Sequence, residues 1–279
     1  MRALLLATLA WAAACTPDFQ APSDVRDLRV LAVQAEPPEA QFDETSADTV
    51  QVRVLATDPS DPSPITLRAQ LCAPTDSHRC DEGGVLDLGV VPLSFQLDVP
   101  PDVIALAKQL DDLKGLGGIR VQLAFSVDHG DPRAAVYGSK LLIFSPRGGV
   151  PNKNPLISGI KLSRDGSPAG EAGPGTQQAL PREVEIGLRP ELAPGSVERY
   201  TTVDLRGNTV TLPEYPRYSF FVGPGAEMDR DTADEPLDGV APPDGLARVT
   251  LHGDTAKLWV VVRDGRGGES WIELDLLAL

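Results

Sequence analysis

The chain holds 279 residues but only three cysteines, three histidines and six lysines, and aromatic residues make up 5% of it. The histidines, at 78, 129 and 252, each stand beside turn residues, and no G-x-S-x-G, H-E-x-x-H or P-loop pattern accompanies them. Nucleophilic, zinc-hydrolytic and nucleotide-binding chemistry therefore have no motif here. Nothing offsets a formal net charge of −15: there is no basic cluster and no Lys/Arg stripe interleaved with aromatics. Nucleic acid is excluded as a natural partner, because phosphate binding needs local positive charge. A basic amphipathic helix that could lie on an anionic bilayer is missing too. What basic character exists is carried by arginine, 19 against six lysines.

What is present begins at the N-terminus. Arg2 precedes an apolar run at 3–11, and Ala12-Ala13-Ala14-Cys15 follows it. The run is about half the length a helix needs to cross a bilayer, so it reads as a cleaved export signal over residues 1–14. Ala12 and Ala14 also fit an ordinary secretory A-x-A site, and both readings cut before Cys15. Cysteine as the first mature residue favours lipid attachment at Cys15. The following residues to 24 contain Pro17 and Pro22 without apolar periodicity and read as a lipidated tether. Thr16 rather than Asp after the cysteine resembles outer-membrane sorting. The expected location is the cell envelope, lipid-anchored at the outer membrane, and the expected membrane contact is through lipid alone. Removing Arg2 with the signal takes the mature charge to −16.

Cys72 and Cys80 then remain as a pair around a polar loop, which in an oxidising compartment reads as a disulfide. A loop this small gains about 2.5 kcal/mol from the cross-link. A metal site with His78 between the thiols lacks a fourth ligand at zinc spacing.

The mature length suits two domains, and the Pro/Gly-rich stretch at 145–155 separates them: 25–148 and 149–279. Short runs of Val, Ile, Leu and Thr, broken by Pro/Gly/Asp clusters, give both halves an all-β sandwich pattern. In the first half strands are predicted at 28–36, 49–57, 65–72, 93–99, 119–128 and 135–144. In the second they are predicted at 156–162, 182–188, 198–204, 209–212, 218–222, 247–251, 258–264 and 270–277. Pro100-Pro101-Asp102 starts one short helix in the first half, with Val103, Leu106, Leu110 and Leu113 on one face and Lys114-Gly115 as its stop. It is expected to cap the end of the core.

Both halves close alike, with Leu123-Ala124-Phe125-Ser126-Val127-Asp128-His129-Gly130 and Leu258-Trp259-Val260-Val261-Val262-Arg263-Asp264-Gly265 each leading through a turn to a last strand. This resembles the terminal hairpin of bacterial immunoglobulin-like or fibronectin-type modules. The resemblance implies two tandem immunoglobulin-like β-sandwich domains and carries no activity with it. The Ala-Ala-Cys signal, the opening Val25-Arg26-Asp27-Leu28-Arg29-Val30-Leu31-Ala32-Val33 with Glu36-Pro37-Pro38-Glu39, and the closing segment 259–268 together resemble uncharacterised lipoproteins of myxobacteria and their relatives.

Two local features suggest ligands. Asp229, Asp231 and Asp234 offer hard oxygens in one short loop, the donor type calcium prefers, although the usual loop glycine is missing and Arg230 opposes. Strand parity sets Leu258, Val260 and Val262 against Trp259, Val261 and Arg263, and Ile272, Leu274 and Leu276 against Trp271, Glu273 and Asp275. Trp259 and Trp271 therefore point away from their own core, where with Arg263 they could form a platform for a sugar ring or a protein, or else pack on the other domain or on a covering loop at 223–245. The expectation is a non-catalytic, lipid-anchored binding or structural module that presents a protein- or glycan-binding surface and needs no cofactor. A carboxylate-based envelope hydrolase and a calcium-dependent adhesin are the rivals. Forty acidic residues give no means of selecting a catalytic pair for the first.

Overall fold

The computed structural model describes residues 20–279 apart from 44, 81–84, 113, 114, 116, 205 and 238. Cys15 and most of the expected signal and tether lie outside the described residues. Among the described residues, twenty strands and one α-helix form two β-sandwiches, each built around its own apolar cluster.

The first sandwich comprises β1 (Arg29–Glu36), β2 (Glu39–Phe42), β3 (Val50–Thr57), β4 (Thr66–Cys72), β5 (Leu86–Val91), β6 (Ser94–Leu97), β7 (Ile119–Asp128) and β8 (Val136–Pro146). Its sheets run β1-β3-β6 and β2-β8-β7-β4-β5. Val50, Val52 and Val54 from the first sheet meet Leu67, Leu71, Val121 and Leu123 from the second, the alternation of half-buried strands. At Pro37 and Pro38, which offer no N–H to a ladder, the chain leaves one sheet and returns as β2, parallel to β8 in the other.

The second sandwich repeats the plan. It contains β9 (Ile157–Arg164), β10 (Ser167–Ala172), β11 (Gln177–Leu180), β12 (Glu185–Leu192), β13 (Arg199–Val203), β14 (Thr209–Pro213), β15 (Arg217–Val222), β16 (Ala226–Met228), β17 (Thr232–Asp234), β18 (Ala247–Leu251), β19 (Thr255–Arg263) and β20 (Glu269–Ala278). The sheets are β10-β9-β12-β18-β16 and β11-β20-β19-β15-β17, and β11 runs parallel to the last strand as β2 does in the first sandwich. The hairpin β13-β14 is an insertion between β12 and β15. This repeated strand order makes both units immunoglobulin-like sandwiches in tandem.

The helix α1 (Pro101–Leu110) forms where expected, but its buried residues are Val103, Ile104 and Ala107. Of the expected face, Val103 is buried, Leu106 is half-buried, Leu110 is 60% exposed and Leu113 lies outside the described residues, so the buried stripe runs i, i+1, i+4. The expected free tether ends sooner than residue 24. Val25 N–H donates to the Val222 carbonyl and Val222 N–H to the Ser23 carbonyl, both at 2.8 Å, so residues 23–25 lie along β15 of the second sandwich.

Candidate interaction site

Cys72 and Cys80 are bonded, with Cα atoms 5.6 Å apart. Both are buried with Ala124, and Gln122 Oε1 accepts the Thr75 N–H, fixing the loop to the outer face of β7.

The tryptophans do face outward from their own core, as parity required, but they form no open platform. Trp259 is 2% exposed and packs with Val261, Phe221 and Trp271 against Val25, Leu31, Ala32 and Leu55 of the first domain. The reading as a ligand surface is therefore corrected: these rings are the apolar seam between the sandwiches. Arg53 lies 4.9 Å above the Trp271 ring and Arg29 5.6 Å above Phe221, closing the rim with cation–π contacts.

Arg263, the third member of the expected platform, instead completes a polar clasp at the end of the seam. It stands directly across the β19–β20 ladder from Glu269, with an ion-pair distance of 2.6 Å. Arg263 Nη2 also donates to the Leu31 carbonyl at 3.0 Å, and Glu269 Oε2 accepts the Val33 N–H at 3.4 Å. One cross-strand pair of the second domain thus satisfies main-chain groups on the edge of β1 in the first. Lys140 joins it from β8. Opposite Leu123 in register, it is on the core-facing side of its strand, an unusual place for a lysine, and its Nζ donates to Glu269 at 3.1 Å.

A second polar cluster surrounds the β19–β20 turn. Arg266 Nη1 donates to Glu214 at 2.9 Å and to Asn152 at 3.0 Å, and Nη2 to Glu39 at 3.3 Å. Its guanidinium lies 4.2 Å from the Tyr200 ring, and Glu198 lies 3.7 Å away. Asp264 accepts the N–H groups of Arg266 and Gly268 and the Asn152 side-chain amide. Gly268 is required, since a Cβ there would sit 2.1 Å from the Asp264 carboxylate. Burial pushes the Glu214 and Asp264 carboxyls above their ordinary range against the pull of Arg266. The linker is held as firmly: Asn152 N–H donates to Glu39, and Asn154 bridges the Ala35 carbonyl and the Glu269 N–H.

A cleft of about 1100 Å3 opens beside this seam, lined by residues 29–33 of β1, 136–141 of β8, 200–203 of β13, and by Arg263 and residues 265–269 of the β19–β20 turn. Its two carboxylates, Glu39 and Glu269, are engaged by Arg266, Ser145, Lys140 and Arg263, so neither is placed as an acid or base.

The acidic loop is corrected in detail. β16 and β17 fall on opposite sheets, which separates its carboxylates. Asp229 accepts the Arg248 N–H and pairs with Arg230, and Asp234 pairs with Arg217. The Asp231 carbonyl accepts the Phe220 N–H. No group of three or more His, Cys, Asp or Glu side chains that could hold a metal occurs among the described residues. Two of the histidines join turns to carboxylates: His129 to Asp58 at 3.1 Å and His252 to Glu183 at 2.9 Å.

Sequence reasoning passed over Lys140, Glu269, Glu39, Glu214 and Asn152. One signal was available for Lys140, a charge at core parity within a strand. The segments 25–39 and 259–268, which carried the likeness to the lipoproteins, meet at this seam from opposite ends of the chain.

No family model matches the chain, and no curated protein matches it. Among solved structures it is similar to the two tandem V-type regions of a v-region-containing chitin binding protein, at 11% identity over 89% of this chain and 100% of that one, with a TM-score of 0.29. Another is the N-terminal Ig1-2 module of the Drosophila receptor protein tyrosine phosphatase DLAR, at 12% identity over 91% of this chain and 100% of that one, TM-score 0.23. A third is the three N-terminal domains of the bacteriophage RB49 outer capsid protein Hoc, at 11% identity over 91% and 70%, TM-score 0.24. The fold assignment rests on strand order rather than on these likenesses.

Proposed function

We propose that the chain is a lipid-anchored, non-catalytic binding or structural module of the cell envelope, of the kind found among myxobacterial-type lipoproteins. The observation that carries the reading is the seam. Arg263, Glu269 and Arg266 lock two sandwiches into one body, which suits presentation of a fixed surface. The Cys72–Cys80 disulfide suits an oxidising compartment. No helix of the described residues is long and apolar enough to cross a membrane, so attachment in this reading falls to Cys15.

The strap at residues 23–25 ties the end of the tether to the second sandwich. It meets β15 at Val222, the end of the strand opposite Arg217, which pairs with Arg263 next to the 264–268 turn. Eight residues from Cys15 reach at most roughly 28 Å, so the lipid would keep the strap within that distance of the membrane. Intact mass of protein taken from its native membrane tests the anchor. Acyl mass on a chain beginning at Cys15 is expected, and Cys15→Ser should release the protein from membranes. An unmodified, freely soluble wild-type chain overturns it.

A further inference from the structure

We propose that the cleft beside β8 binds an extended acidic peptide segment of a partner protein by strand addition. This deepens the binding-module reading and rests on it. Every residue from 136 to 141 and from 200 to 203 lines the cleft. A sheet face would present only alternate residues, so consecutive lining marks strand edges. Three edges converge there, and they differ in what their main chain meets.

On β1 the Leu31 carbonyl and the Val33 N–H are taken by Arg263 and Glu269. On β8, β2 occupies the row beside Ile143–Pro146 only, and among the described residues the main chain of 136–142 bonds to β7 alone. The equivalent edge of β20 shows that this vacancy is not a general feature of the fold. There Asn154 accepts the Glu269 N–H and Gly175 N–H donates to the Glu273 carbonyl, ahead of β11. An unpaired edge with alternating outward N–H and C=O groups is a template for another strand. Seven residues of edge offer roughly 20 Å of ladder.

Charge selects the occupant. On a chain of net charge −15, the cleft lining carries Arg29, Arg120, Lys140, Arg263 and Arg266 against the two carboxylates of Glu39 and Glu269. Arg29 donates to the Asp24 carbonyl and Arg120 to the Gly118 carbonyl, and neither forms an ion pair among the described residues. Tyr137, 57% exposed under the Arg79 guanidinium, stands at the lip. Acidic side chains flanking an extended backbone complement this lining.

The test is selection of random dodecapeptides displayed on phage against the mature full-length chain, followed by affinity measurement on a selected peptide. Enrichment of Asp/Glu among alternating β-formers is expected. N-methylation of alternate amides of one parity should weaken binding at least tenfold, and of the other parity much less, because an edge uses every second amide. Arg120→Glu, on the exposed side of β7, should also weaken it tenfold while thermal unfolding stays unchanged. Peptides without acidic bias, an N-methyl effect independent of parity, or undiminished binding to the Arg120→Glu chain overturns the proposal. A chain that carries its lipid but enriches no peptide overturns this site and leaves the anchored module standing.

Discussion

Glu269 is the group on which the two sandwiches converge, and replacing it by alanine gives the sharpest consequence. Its carboxylate, 5% exposed, receives Lys140 Nζ, Arg263 and the Val33 N–H. Removing one member of a buried pair costs about 3–5 kcal/mol, because the partner is left buried and uncompensated. Arg263 is 40% exposed and can turn to water, whereas Lys140 at 14% cannot do so easily, so about 3 kcal/mol is expected for Glu269→Ala. Lys140→Met alone removes one charge-assisted hydrogen bond and leaves Glu269 its other partners, costing about 1.5 kcal/mol. The double variant relieves the stranded lysine, so its cost should fall short of the sum by about 1–3 kcal/mol. Urea unfolding followed by tryptophan fluorescence reads all four corners of the cycle. Additivity within about 0.5 kcal/mol, or a cost for Glu269→Ala under about 1 kcal/mol, would refute the clasp.

Trp259→Ala opens the apolar seam and is expected to cost about 3–5 kcal/mol in the same assay, with loss below 1 kcal/mol contradicting its burial. In the intact chain Trp259 should resist acrylamide quenching until unfolding begins. Reduction of Cys72–Cys80 should lower stability by about 2.5 kcal/mol, seen as a fall in urea midpoint with dithiothreitol. The His129 imidazole, despite opposing burial, is raised by its hydrogen bond to Asp58 and by Asp61 nearby. A raised imidazole contributes stability that is complete below the unfolded value of about 6.5 and lost as pH rises through the higher folded value. Asp58 and Asp61 are held below their ordinary range and stay ionised throughout that window. Stability should therefore decline just above pH 6.5, and His129→Gln should remove part of the slope, with His252, also raised, keeping the rest. An unchanged profile in that variant counts against the Asp58 pair.

How much of this the sequence disclosed follows a physical rule. All fourteen strands read from apolar alternation are present, β7 and β18 with the expected limits. The six that were not read, β2, β5, β10, β11, β16 and β17, are all sheet edges. An edge strand has one neighbour and little cover, so Ser167–Ala172 or Gln177–Leu180 needs no apolar alternation and emits none. Parity placed Trp259 and Trp271 on the outer face correctly but could not say what covers that face, since the cover comes from β1 and β3, some 200 residues away. The acidic loop misled because proximity in sequence was read as proximity in space, and two short strands divide it between sheets. The Arg266 cluster draws on Glu39, Asn152, Glu198 and Glu214, a set no spacing pattern links.

Native-state hydrogen exchange as a function of denaturant tests the seam most directly, because it reads both cores in one molecule. If the sandwiches are one cooperative body, the slowest amides of β7, such as Val121 and Leu123, and of β19, such as Val260, converge on one opening free energy with one denaturant slope. Two separate isotherms, with the first sandwich opening while the second stays closed, would contradict the account.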